Sequence, residues 1–235
     1  MRVGRGHYSL TLLTIGTCIY AHAQLPEAIL AKAKEGNPDA QFAVGDFYTI
    51  SPNYSQAMAI EWFRKAANQG YIKAQVRLVH LLSSGSGALM NFKEAFSWAE
   101  KAAAQDDTDG IYWLGYCYGS GVAVKQDPKK ALAYFRVAAS RGNPKYQYDL
   151  AEDLLNGEEV LPDPIEAYKW YKLAAEQKHP DAMVMAAVCM LGGKVTEKNV
   201  KGAIQLFDQG VALGSKIANR YQPAFDSARK ASTTN

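Results

Sequence analysis

The stretch that decides the fold is Gly110-Ile-Tyr-Trp-Leu-Gly-Tyr-Cys-Tyr-Gly-Ser-Gly-Val122, followed by Asp127-Pro-Lys-Lys-Ala-Leu-Ala-Tyr-Phe-Arg-Val-Ala-Ala139. The apolar residues of its second part are spaced i, i+3, i+4, i+7 and i+8, which forms one apolar face of a helix: Ala131, Tyr134, Phe135, Ala138 and Ala139. Asp127 can cap that helix, and Pro128 suits its first position. We therefore predict two helices joined through Gly121, where a positive φ is tolerated.

The same pattern returns every 36 residues along the chain. Four columns of residues share this register. Two of them hold small residues: alanines at 59, 95, 131, 167 and 203, and glycines at 85, 121, 157 and 193. The third is aromatic at Trp62, Trp98, Tyr134 and Trp170, with Leu206 in the fifth unit, and the fourth is the Ala-Ala pair at 66–67, 102–103, 138–139 and 174–175, replaced by Gly210-Val211 in the fifth unit. The first unit lacks the connecting glycine, and its connection, Tyr48–Ser55, is shorter. A fixed period of this length is typical of helical repeat proteins.

The ends of the units follow from capping chemistry. Side-chain oxygens that can cap the second helix occur in every unit, at Ser55, Asn91, Asp127, Asp163 and Asn199. Gly70, Gly142 and Gly214 suit its C-terminal end. The predicted units are 37–70, 71–106, 107–142, 143–178 and 179–214. Residues 24–36 are predicted to form an N-terminal capping helix and residues 215–235 a C-terminal one with a polar tail, where Gln222-Pro223 predicts a bend or a late start.

The quoted motifs resemble the Sel-1-like repeat (SLR), a relative of the tetratricopeptide repeat, and the resemblance covers residues 37–214. It implies an all-α fold: a right-handed α-solenoid of antiparallel helix pairs, whose first helices line a concave groove. The first and fifth units depart most from the pattern, at the short connection of the first and at Leu206 and Gly210-Val211 of the fifth. These departures predict end units that pack less regularly.

Residues 1–23 have the three-part layout of a secretory signal peptide. Arg2 and Arg5 precede an apolar run, Leu10–Tyr20, and Ala21-His22-Ala23 offers small residues at the cleavage positions. The run is too short to cross a bilayer. We therefore expect cleavage after Ala23 and a periplasmic or secreted chain without a transmembrane segment. The alternatives are an ordinary N-terminal helix, or a lipid anchor at Cys18, which Gly16-Thr17 disfavours because they are not usual lipobox residues.

Charge and residue usage narrow the function classes. The chain has 26 Lys and Arg against 23 Asp and Glu. Without residues 1–23 the balance is nearly neutral, which argues against a nucleic-acid partner. Cys117 and Cys189 lie two repeat periods apart, on the order of 20 Å if units stack at 8–10 Å, so we predict free thiols. Few His and Cys remain, and we expect no catalytic residue, no metal and no cofactor.

Two residue columns on the first helices are predicted to line the groove. They are Phe42, Val76, Tyr112, Tyr148 and Val184, and Asp46, His80, Tyr116, Glu152 and Val188, with Arg220 extending the first column into the last helix. Tyr112, Tyr116 and Tyr148 are expected to cluster in the middle, where aromatic residues favour binding. The alternative is that these side chains only pack between adjacent helices.

The leading functional hypothesis is a non-catalytic scaffold or adaptor of the bacterial cell envelope that binds a protein or peptide in its concave groove. Helical solenoids use extended concave faces in this way, and the SLR resemblance implies adaptor roles. One alternative is a periplasmic immunity or inhibitor protein for a cognate toxin. A second is a glycan or peptidoglycan binder that uses the tyrosines. A hydrolase is the least favoured, because the sequence shows no nucleophile paired with a base.

Overall fold

The computed structural model describes residues 25–50, 54–84, 90–156 and 161–233. In these residues the chain forms twelve α-helices and no β-strand. The helices are α1 Glu27–Lys34, α2 Pro38–Phe47, α3 Gln56–Ala67, α4 Ile72–Ser84, α5 Phe92–Ala104, α6 Thr108–Ser120, α7 Pro128–Ser140, α8 Pro144–Asn156, α9 Pro164–Glu176, α10 Pro180–Gly192, α11 Val200–Ala212 and α12 Ala218–Thr233.

The helices stack in chain order. Each packs mainly against the helices immediately before and after it, so that α2/α3, α4/α5, α6/α7, α8/α9 and α10/α11 form five pairs between α1 and α12. Helix α4 also contacts α6 directly, and α10 contacts α12. Contacts that remain local along the chain are characteristic of a solenoid. The predicted all-α solenoid is thus confirmed.

The helix ends form where the sequence places capping residues. Each predicted cap of a second helix accepts a hydrogen bond from a backbone N–H of the first turn: Ser55, Asn91, Asp127, Asp163 and Asn199. Gly70, Gly142 and Gly214 have positive φ after these helices. Gly121 and Gly193 adopt the left-handed conformation at the ends of α6 and α10. Gly85 and Gly157 lie outside the described residues.

Small residues let the two helices of a unit approach closely. The five alanines of the repeat column beginning at Ala59 are almost fully buried. A Cβ atom added to Gly45 would lie 2.6 Å from the Phe63 ring, and one added to Gly115 would lie 2.7 Å from the Phe135 ring. Carbon atoms normally approach to 3.5–4.0 Å. These two glycines are therefore required because an aromatic ring from the second helix occupies the space of a side chain.

The C-terminal helix starts late. The position equivalent to Pro180, the first residue of α10, is Lys216, but α12 begins at Ala218. Asp181 accepts hydrogen bonds from the Ser215 hydroxyl and the Lys216 backbone N–H, at 2.6 and 2.8 Å, which fixes the chain before the helix. Pro223 lies inside α12.

Two further expectations concern the termini and the thiols. The predicted leader 1–23, with Cys18, lies outside the described residues. Within the described part of the chain, no helix combines the length and apolar character needed to span a membrane. Cys117 and Cys189 are free thiols, as predicted.

Candidate functional site: the concave groove

The first groove column faces partly inward. Three of its aromatic rings contact a ring on the second helix of their own unit, with centroids separated by 5.4 Å for Phe42–Phe63, 5.4 Å for Tyr112–Phe135 and 5.8 Å for Tyr148–Tyr171. This column directly follows five buried residues, so its side chains lie close to the second helix: Gln41, Gln75, Ile111, Gln147 and Met183. They pack between helices, which was the alternative considered above.

Val184 corrects the prediction most clearly. It is fully buried beside Ala187, Ala203 and Phe207, and so offers no surface to a partner. The physical reason is Gly210, which replaces the alanine of the other units: a Cβ there would lie 3.0 Å from the Val184 side chain. Arg220, at the other end of the column, is exposed on α12.

The three groove tyrosines bind different neighbours and do not form one cluster. Tyr112 stacks on Tyr146 with a centroid distance of 4.2 Å and donates a 2.7 Å hydrogen bond to Asp149. Burial, followed by the charge of Asp149, raises the pKa of Tyr112 well above its usual value. Tyr148 instead stacks on His179, with centroids 5.0 Å apart. Tyr112 and Tyr148 therefore join successive units rather than presenting free rings.

Tyr116 is the groove tyrosine that remains available. Its side chain is 41% exposed, and its ring meets Trp113 edge to face at a centroid distance of 5.0 Å. His80 also meets Trp113 edge to face, at a centroid distance of 5.8 Å. Partial desolvation lowers the pKa of His80. These three rings form an aromatic row along the groove, which we call the His80–Trp113–Tyr116 row.

The rest of the second column is mostly engaged. Asp46 forms a salt bridge of 3.0 Å with Arg77 of the next unit. Glu152 accepts a hydrogen bond from the buried Tyr171. Val188 is half-buried against the apolar cluster of the fifth unit. Within this column, His80 and Tyr116 thus carry most of the exposed surface.

A cleft of about 330 Å³ opens beside the aromatic row. It spans α2, α4 and α6 and is lined by Phe42, Lys73, Val76, Arg77, His80, Asp107 and Asp109. The basic residues Lys73 and Arg77 lie on α4, and the acidic residues Asp107 and Asp109 lie at the start of α6. The cleft therefore combines both charges with apolar walls. Val76 and Phe42 supply those walls. The cleft can recognise a polar or amphipathic segment through ion pairs, hydrogen bonds and ring contacts.

Sequence reasoning missed Lys73, Arg77, Trp113 and the two acids of the cleft. For Arg77 and Trp113, the missing signal is a column one residue later than the first predicted one, which contains Ala43, Arg77, Trp113, Asp149 and Met185. Its polar and aromatic members, at i−3 from the second column, mark the wall of the groove.

The thiols show no sign of activation. Burial raises the pKa of Cys117 to about 11 and raises that of Cys189, so both are protonated near neutral pH. A reactive cysteine requires the opposite shift. In the part of the chain that the structure describes, no three or more His, Cys, Asp or Glu side chains are grouped as metal ligands.

The repeated helix pairs and the first-helix groove define a helical-pair solenoid protein. The family model of the Sel1 repeat matches residues 38–71, 72–107, 108–143, 144–179 and 180–215. The chain therefore belongs to the Sel1 repeat family, whose members generally mediate protein–protein interactions and are typically non-catalytic. Among curated protein sequences, none matches the chain.

Two solved structures with the same architecture come from bacteria. A Sel1 repeat protein from Oxalobacter formigenes is 26% identical, with a TM-score of 0.72 over 83% of this chain and 57% of that one. A protective antigen of uropathogenic Escherichia coli strains, which displays an SLR fold, is 28% identical, with a TM-score of 0.73 over 82% of this chain and 42% of that one. The chain thus spans about half the length of these two proteins.

Proposed function

We propose that this protein is a non-catalytic adaptor of the bacterial cell envelope that binds a protein or peptide partner in its concave groove. The observation that carries the proposal is the cleft of mixed charge beside the His80–Trp113–Tyr116 row. Aromatic side chains and arginine are enriched where proteins bind one another, and the rim of such a contact is polar. The envelope location rests on the leader-like residues 1–23 and on the bacterial origin of the similar structures.

The partner contact is proposed to centre on Tyr116 and His80 instead of Tyr112 and Tyr148. Tyr112 and Tyr148 hold neighbouring units together, so their truncation is expected to disturb the solenoid itself. Tyr116 has a large exposed fraction, and its loss removes little packing. Lys73 is exposed at the cleft, and its positive charge can form an ion pair with an acidic group of the partner.

A photo-crosslinking amino acid at position 116 tests the binding face in living cells. We expect a discrete protein adduct, identified by mass spectrometry, whose yield falls when Lys73→Glu and His80→Ala are added. The matched control places the same amino acid at position 129. Lys129 is exposed on α7, away from the groove, and should yield no such adduct. A partner captured from position 129 and not from position 116 would assign binding to the outer face.

The envelope location has its own test. Mass spectrometry of the protein recovered from a periplasmic fraction should show an N-terminus at Gln24 without lipid. Recovery of the intact N-terminus in the cytoplasmic fraction would contradict export, and an acylated Cys18 would indicate a lipoprotein.

A further inference from the structure

Charge is divided between the two helix layers of the solenoid. The five first helices, α2, α4, α6, α8 and α10, carry seven Asp or Glu residues and three Lys or Arg residues. The five second helices, α3, α5, α7, α9 and α11, carry six Asp or Glu residues and ten Lys or Arg residues. The layer that lines the groove therefore has an acidic excess, and the outer layer has a basic excess of the same size.

The acidic excess is continuous over the third to fifth units. Helices α6, α8 and α10 carry five acidic residues and one lysine: Asp109, Asp149, Glu152, Asp153, Asp181 and Lys145. Lys73 and Arg77 give α4, in the second unit, the opposite sign. A groove lined by charges of one sign attracts ligands of the other sign.

Asp153 differs from the other four acids because it has no partner among the described residues. The other four accept hydrogen bonds from elsewhere in the chain: Asp109 from Tyr146, Asp149 from Tyr112, Glu152 from Tyr171 and Asp181 from Ser215. Asp153 is exposed, and it forms no hydrogen bond or ion pair with another described residue. Partial desolvation, with the charges of Asp149 and Glu152, raises its pKa to about 6. Its carboxylate therefore stands in the groove without a counter-charge from the described chain.

The register of the first helices places Tyr116 beside Asp153. Tyr112 on α6 donates a 2.7 Å hydrogen bond to Asp149 on α8. Tyr116 and Asp153 each lie four residues further along these two helices, which is about one turn. Both helices are the first of their unit and run in the same direction, so the next turn brings Tyr116 and Asp153 together. The Tyr116 side chain is 41% exposed. An exposed ring beside an exposed carboxylate can hold the side chain of Lys or Arg by a cation–π contact and an ion pair at once.

We propose that the groove over α6, α8 and α10 binds a basic segment of the partner protein, with one Lys or Arg of that segment between the Tyr116 ring and the Asp153 carboxylate. This assignment rests on the proposed function, because it names the chemistry of the partner that the groove receives. Lys73 and Arg77 repel the basic segment from the second unit, so it lies on the third to fifth units. The basic excess of the second helices disfavours the outer face for the same segment.

Fluorescence polarisation with synthetic peptides tests the proposal on the free protein. The probe is a labelled peptide in which arginine and serine alternate over about ten residues, because such a peptide spans about 30 Å when extended. That length matches three units at about 10 Å each. The control peptides replace every arginine by glutamine or by glutamate. We expect the arginine peptide to bind, and both control peptides to bind more weakly or not at all.

Matched variants locate the bound arginine. Asp153→Asn should weaken binding of the arginine peptide by about fivefold, the effect of one ion pair, and should keep the helical circular dichroism. Glu100→Gln removes the same charge from an exposed position on α5, in the outer layer, and should leave binding almost unchanged because distant charges are screened at physiological salt. Tyr116→Leu should weaken binding by about threefold, whereas Tyr116→Phe, which keeps the ring, should not.

Equal binding of the arginine and glutamine peptides would overturn the proposal. So would equal effects of Asp153→Asn and Glu100→Gln, because net charge alone would then account for binding. Cross-linking from position 116 separates this proposal from the proposed function. A captured segment with Lys or Arg beside the cross-linked residue supports both. A captured segment without basic residues would retain binding in the groove and refute the basic partner.

Discussion

Two glycines one turn apart on α6 should respond oppositely to the same substitution. A Cβ atom at Gly115 would lie 2.7 Å from two carbons of the Phe135 ring, but a Cβ atom at Gly119 would have its nearest neighbour, Ala131, at 3.5 Å. The first distance is about 1 Å too short for carbon atoms, and the second is ordinary contact. Gly115→Ala should therefore destabilise the protein, whereas Gly119→Ala should be neutral or stabilising.

The magnitudes follow from two opposing terms. Overpacking a buried site costs about 1–3 kcal/mol, and the ring of Phe135 has little room to move because it is only 9% exposed. Replacing glycine by alanine in a helix gains up to about 1 kcal/mol. We expect a net loss of about 1–2 kcal/mol for Gly115→Ala and a gain of about 0.5–1 kcal/mol for Gly119→Ala.

Urea titration followed by far-ultraviolet circular dichroism measures the difference. With a slope of about 2 kcal/mol/M, a difference of about 2 kcal/mol between the variants separates their midpoints by about 1 M. Phe135→Leu should partly rescue Gly115→Ala, because a smaller side chain leaves space for the new methyl group. Equal midpoints for the two alanine variants, or strict additivity of Gly115→Ala and Phe135→Leu, would refute the steric argument.

Three other substitutions test packing, capping and charge by the same titration. Ala138→Leu should lower the free energy of unfolding by about 1–3 kcal/mol because Ala138 is fully buried. Lys129→Ala, on the exposed side of the same helix, should change it by no more than about 0.5 kcal/mol; equal losses would mean that the helix faces are reversed. Asp163→Ala removes the cap that accepts from the first turn of α9 and should cost about 1 kcal/mol; an unchanged midpoint would contradict this role. Partial desolvation, with the charges of Asp149 and Glu152 nearby, raises the pKa of Asp153 to about 6, although the side chain is exposed. Its ionisation therefore opposes folding as the pH rises from about 4 to 6; Asp153→Asn should stabilise the protein slightly at pH 7, and a gain that persists at pH 4 would contradict the electrostatic cause.

The sequence predicts the fold well because the determinants of the fold repeat. A buried alanine, a capping side chain and a glycine at a helix end each act within one unit, and their spacing states where the helices begin and end. Ser55, Asn91, Asp127, Asp163 and Asn199 all cap as expected. The late start of α12 was expected from Pro223, but Pro223 lies inside the helix, and the start is delayed where Asp181 accepts hydrogen bonds from Ser215 and Lys216.

The site was harder to predict because one residue along a helix is a rotation of about 100°. Tyr112 and Trp113 differ by that rotation, and sequence spacing alone did not show that Tyr112 would bond to Asp149 while Trp113 would join the groove wall. Aromatic character gave no guidance, since both residues are aromatic. The decisive information lies in contacts between units, and a pattern within one unit does not contain them.

Comparison of the five units separates the residues that build the solenoid from those that can give it specificity. The column beginning at Ala59 is alanine in every unit, since any larger side chain would push the helices apart. The column beginning at Asp46 changes chemistry in every unit, from acid to His80, Tyr116, Glu152 and Val188. The Asp46 column lies on the first helices and the Ala59 column on the second helices. The side chains that line the groove can therefore vary without altering the buried alanines. A partner that spans several units therefore meets a sequence of different side chains on a nearly regular frame, and its specificity follows from their order along the groove.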